Sequence, residues 1–121
     1  MLGINSWPKI SIGKFTLIIA TTSEQIKQGL QFIDRLPPNH LMLFQHIFEN
    51  SFFHTVNCSF PLDIISLNSE NRVLDIWSAR PNMKQIGPTP KGTAKVVEAP
   101  LGWAKQMNLQ IGSDLIKALQ S

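Results

Sequence analysis

Apolar positions along this chain fall into short blocks whose period changes several times. In PKISIGKFTLIIA, Ile10 and Ile12 share one parity and Phe15, Leu17 and Ile19 share another, with Gly13 between the two runs. Alternation of this kind on both sides of a glycine predicts a β-hairpin bent at Gly13. The next block, TTSEQIKQGLQF, switches to helical spacing, with Ile26 and Leu30 four apart. Thr22 followed three residues later by Gln25 is a capping-box pattern, so a short helix is predicted over about residues 23 to 32. The Leu36-Pro37-Pro38-Asn39 sequence closes it, because proline removes a donor and disfavours helix before it.

From there the chain reads as mostly extended. HLMLFQ predicts a strand over about 40 to 45, and SFFHTVNCSF predicts another over 52 to 60, interrupted at Pro61. LDIISL and RVLDIW flank the turn cluster Asn68-Ser69-Glu70-Asn71, the clearest hairpin signal in the sequence. Residues 80 to 92, RPNMKQIGPTPKG, form a long Pro-rich loop by composition. TAKVVEA predicts a further strand, and PLGWAKQMNL a second short helix closed near Asn108. The last block, IGSDLIKAL, reads as a final strand around Asp114 to Ala118. About eight short strands and two short helices make the fold class mainly β, α+β by some criteria. The tight turns favour mostly antiparallel pairing, in a small curled sheet or a barrel that hides its edges.

Composition narrows the function classes. The chain has 121 residues, 43% hydrophobic and 16% charged, which suits one domain over 1–121 with its own core. The formal net charge is +3, and the lysines are scattered, not gathered into a tract. A nucleic-acid partner is therefore not expected. The longest early apolar run, Leu17 to Ala20, is too short for a signal-peptide core or a membrane span. With one cysteine, Cys58, no intrachain disulfide is possible, and a cytoplasmic location is expected.

Several of these blocks occur together in a known order. The helix ending in Gly29-Leu30, LMLF at 41 to 44, NCSFPLDI, KVVEA at 95 to 99 and a short helix leading into NLQIGSDLI resemble the family catalogued as domain of unknown function 192. The resemblance runs from near Gly13 almost to the C-terminus. It implies a compact β-rich domain and brings no assigned reaction. The block before Pro61 departs from the family's usual Phe-Trp-Met-Lys-Asn-Thr and reads Phe53, His54, Thr55, Val56, Asn57, Cys58. Leu41 replaces a usual glycine, and Asp114 stands one place late.

In a continuous strand over 52 to 60, His54, Val56, Cys58 and Phe60 would share an inward face. His54 and Cys58 are then core residues. Four strand positions separate them by about 13 Å, too far for one zinc ion or a thiol–imidazole pair. No metal, cofactor or catalytic constellation is predicted. The matched polar residues Asn57 and Asp63 are the stronger candidates. Asp63 is expected to accept backbone N–H bonds near the Pro61 bend. A sharper reading places Asn57, Asp63 and Glu98 in one pocket, where two carboxylates serve as general acid and base. Arg80, Lys84 and Lys91 would form a cationic rim on the 80 to 92 loop. Two functions follow. The first is a non-enzymatic binding or accessory module holding a small anionic ligand or a protein at a barrel mouth, with exposed aromatics such as Trp7 adding surface. The second is a small hydrolase using Asp63 with Glu98 or Asn57.

Overall fold

The computed structural model describes residues 3–121, so Met1 and Leu2 of the expected 1–121 domain lie outside the described residues. Six strands form one mixed sheet: β1 (Lys9–Ile12), β2 (Phe15–Ala20), β3 (His40–Gln45), β4 (Leu62–Leu67), β5 (Val73–Ala79) and β6 (Lys95–Pro100). Their order is β1-β2-β3-β6-β4-β5. Only β2 and β3 run parallel; the other neighbours are antiparallel. The parallel pair needs a crossover. It is supplied by α1 (Ser23–Gln28) and the turns that follow it. The capping box on Thr22 and Gln25 forms as the sequence implies, and the helix stops at Gly29, earlier than expected.

The sheet is open, mainly β with few helices, and it has no barrel mouth. Closure is not required because both faces are covered. One face carries Ile18, Met42, Phe44, Ile64 and Val96 beneath Leu30 of the α1 crossover and Ile86 of the 80–92 loop. The other carries Leu17, Leu43, Ile65 and Val97 beneath α2 (Trp103–Gln106) and α3 (Leu115–Gln120). A strand buried on both sides reads as an unbroken apolar run. That is why Leu62–Leu67 is buried at every position.

Three expectations are overturned. The stretch 52 to 60 is not a strand; it forms a single isolated β-bridge, Phe53–Ile86, then turns at residues 55 to 58. The Cys58 N–H closes that turn on the Thr55 carbonyl at 3.0 Å, and Asn57 has φ 64°, a left-handed value foreign to strands. The expected final strand is helix α3: Asp114 caps it by accepting from the Lys117 N–H, and Leu115 and Leu119, four apart, are buried together. Trp7 is also buried in the core, so it adds no exposed partner surface.

Candidate functional site

The turn at 55 to 58 is the hub on the α1 face of the sheet. Thr55 is fully buried; its hydroxyl donates to the Arg80 carbonyl at 2.6 Å and accepts from the Met83 N–H at 2.8 Å. Asn57 then joins three segments. Its carbonyl accepts from the Phe32 N–H at 2.9 Å, its own N–H donates to Asn82 Oδ1 at 3.2 Å, and its side-chain amide donates to Gln31 at 3.4 Å. Asparagine tolerates the left-handed backbone better than most residues, so one side chain serves both the bend and the tie.

Around this hub lies a cleft of about 600 Å³, lined by Phe32, Asp34, Asn57, Cys58, Ser59, Pro81 and Asn82. Its lining is polar and carries one acid and no lysine or arginine. On the α1 face of the sheet Glu98 is 4% exposed, in register with Met42 on one side and Ile64 on the other. Burial pushes its carboxyl up to about 8. Cys58 is buried, and its thiol is raised to about 11 by desolvation first and by the charge of Glu98 second. Gly29 closes over the acid: a side chain there would stand 3.5 Å from Phe44 Cζ and 3.9 Å from Glu98 Oε1, on a backbone at φ 49°.

The six residues singled out in the sequence do not assemble as one site. Asp63 pairs with Ala99 while Glu98 pairs with Ile64, so the two carboxylates project to opposite faces. Asp63 accepts from the Gly102 N–H at 3.1 Å and the Ala104 N–H at 2.9 Å, which is a structural cap on α2. Its backbone-accepting role is as the sequence implied, with partners from a different bend. An acid–base pair of Asp63 with Glu98 is therefore ruled out by the pairing register. Arg80, Lys84 and Lys91 are exposed but spread along the 80–92 loop, which is laced to residues 51 to 55 by the Met83, Ile86 and Thr89 hydrogen bonds. His54, expected in the core, is exposed, and its Nδ1 accepts from the Val56 N–H. The strand spacing that separated His54 from Cys58 thus loses its premise. Among the described residues no cluster of three or more His, Cys, Asp or Glu is placed to hold a metal.

Sequence reasoning missed Phe32, Asp34, Ser59, Pro81 and Asn82, and assigned Cys58 only to the core. Asn82 left a signal: it follows proline and, like Asn57, has a left-handed backbone. Asparagine after proline is turn chemistry, which could have paired the two bends.

A family model described as Uncharacterized ACR matches residues 8–116. A UPF0127 protein of Pyrococcus abyssi (strain GE5 / Orsay) is 35% identical over 91 residues, 72% of this chain and 74% of that relative. A crystal structure from Sinorhizobium meliloti 1021, carrying a provisional transcription-regulator label, superposes with TM-score 0.75 at 25% identity over 84% of each chain. A protein of unknown function from Novosphingobium aromaticivorans DSM 12444 gives TM-score 0.74 at 22% identity, over 93% of this chain and 94% of its own.

Proposed function

This chain belongs to the domain of unknown function 192 family, and from that premise we propose that it is a non-enzymatic binding module whose ligand seat is the Asn57 cleft. One observation carries the reading. Asn57 bonds at once to the end of the α1 crossover and to the 80–92 loop, so a polar cleft is held open by three segments distant in sequence. Small-molecule sites are typically preformed concavities of roughly this size, with a few convergent polar groups. Catalysis would need a base and an acid aimed at one reacting atom. The register of Asp63 and Glu98 removes one of the two pairs that the hydrolase alternative named, and Asp63, which would serve in the other with Asn57, is engaged in capping α2.

The lining also shifts the expected ligand. With Asp34 at the cleft and the three loop cations elsewhere, a small anion is a poor match. A transcription-regulator role, taken from the Sinorhizobium label, has less support here, since the basic side chains are dispersed. We also propose a cytoplasmic location, consistent with a single buried thiol and with the lack of any described helix long and apolar enough to cross a membrane.

The test is a fragment screen read by amide NMR on the full chain. Shifts confined to residues 31–34, 57–59 and 81–82 are expected for polar fragments. Fragments that bind only elsewhere, or none that bind, would overturn the assignment.

A further inference from the structure

Phe32 holds a backbone conformation that its own side chain opposes. Its φ is 62°, in the left-handed region where a bulky residue is strained. Outside glycine, eight described positions have positive φ; six of them are asparagines and one is His46. Asparagine suits that bend because its short amide bonds locally. The eighth position carries a benzyl group instead. Core packing does not offset the strain, since Phe32 is 59% exposed. The bend is fixed by the Phe32 N–H, which donates to the Asn57 carbonyl at 2.9 Å. An aromatic ring is thereby presented to solvent in the wall of the Asn57 cleft. Backbone strain of this kind gathers at ligand clamps.

Beside the ring the lining is hydrogen-bonding and accessible. Asp34, Asn57, Ser59 and Asn82 are all exposed. The fold sets the two asparagines in place. The Asn57 amide donates to Gln31 Oε1 at 3.4 Å, and the Gln31 amide donates in turn to the Lys27 carbonyl at 2.8 Å. Asn82 is oriented by accepting the Asn57 N–H at 3.2 Å. A side-chain amide has capacity beyond one such bond. Ser59 can donate and accept, and the Asp34 carboxylate only accepts.

These groups define a ligand chemistry. A hydroxyl both donates and accepts, so a polyol matches amides, a hydroxyl and a carboxylate together. An anionic ligand would meet Asp34 in a lining without lysine or arginine. A hydrocarbon would strip water from the polar side chains without replacing their bonds. The exposed ring adds a demand for a flat partner. A pyranose carries hydroxyls on its rim and polarised C–H groups on its faces, which the negative face of an aromatic ring attracts.

We propose that the Asn57 cleft binds a neutral saccharide, with one pyranose ring against Phe32 and its hydroxyls on Asp34, Asn57, Ser59 and Asn82. The proposal rests on the cleft reading given above and names the ligand class for it. A nucleobase also stacks on an aromatic ring, but the phosphate of a nucleotide is disfavoured by Asp34. The free base is therefore the competitor to include in the test.

The probes are the methyl pyranosides of glucose, galactose and N-acetylglucosamine, with sorbitol as a polyol that has no ring and adenine as a flat ring that has no hydroxyls. Each is titrated into the full chain, read by amide NMR and by saturation transfer from the aromatic protons. The variants are Phe32→Gly, which keeps the left-handed bend at no steric cost, and Phe32→Tyr, which keeps the ring. At least one pyranoside should shift the amides of residues 31–34, 57–59 and 81–82 and receive saturation at its ring C–H protons. It should bind Phe32→Gly about fivefold or more weakly, and Phe32→Tyr like wild type. Sorbitol should bind wild type more weakly than that pyranoside. Sorbitol binding as tightly, or Phe32→Gly binding unchanged, overturns the saccharide assignment. So does the failure of every pyranoside while adenine or other polar fragments occupy the cleft, a result that leaves the cleft reading standing. If no probe or fragment perturbs the cleft, both readings fall. Should Phe32→Gly not fold, the comparison with sorbitol in wild type decides alone.

Discussion

Asp63 and Glu98 stand on paired strands, one register step apart, and face opposite sides of the sheet. Asp63 works on the α2 side as a cap for the Gly102 and Ala104 N–H groups, and Glu98 lies on the α1 side near Gly29. Removing the cap with Asp63→Ala should cost about 1–2 kcal/mol by urea denaturation. Combined with Glu98→Gln, the two effects should add to within about 0.5 kcal/mol. A coupling well above that value would mean the two carboxylates share an environment after all.

Glu98 should make the protein less stable as pH rises. Its folded pKa is about 8 against an ordinary value of 4.5, so between those values the folded state holds more protons than the unfolded state. Stability contributed by the neutral acid is full below about pH 4.5, declines as pH rises and is exhausted near pH 8. Glu98→Gln should remove this decline. Thermal melts should show the variant more stable than wild type at pH 8 by at least about 4 °C, with the gap shrinking toward pH 5. A gap that is constant with pH would contradict the buried-acid assignment.

Thr55 ties the 80–83 segment, which carries part of the cleft wall, to the 55–58 turn. Thr55→Val keeps the shape but leaves the Arg80 carbonyl and the Met83 N–H without their hydroxyl partner. The expected loss is about 2–3 kcal/mol, with faster amide exchange at residues 80–83 as its local signature. Ordinary exchange there, at unchanged stability, would show that the hydroxyl is dispensable.

Cys58 lines the cleft but should be a sluggish nucleophile. A thiol raised to about 11, against an ordinary value of 9.0, is some hundredfold less ionised at pH 8 than an unshifted thiol. Reaction with a disulfide reagent should be slower than for free cysteine by at least about that factor, and should recover in denaturant. Reaction at the free-cysteine rate in the folded protein would refute the burial.

Much of the sheet was legible from local pattern. The Gly13 hairpin, the 68–71 turn and the Thr22–Gln25 capping box each declare themselves within a few residues. The errors arose where composition and backbone disagree. Phe52, Phe53, Thr55 and Val56 are strand formers, yet the Thr55 hydroxyl bonds and the left-handed Asn57 turn the chain instead. Asp114 with Leu115 and Leu119 is a helix signal that a strand reading overlooked. Asn57 and Glu98 stood out in the sequence, but their surroundings did not. The cleft joins Phe32, Asn57 and Asn82, roughly 25 residues apart each time, and such long-range meetings leave no local period to read.

The most direct measurement is a carbon-detected NMR titration of the Glu98 side-chain carboxyl, assigned by comparison with Glu98→Gln. An acid buried on the α1 face of the sheet predicts a midpoint near 8. A midpoint near the ordinary carboxyl value of 4.5 would contradict it.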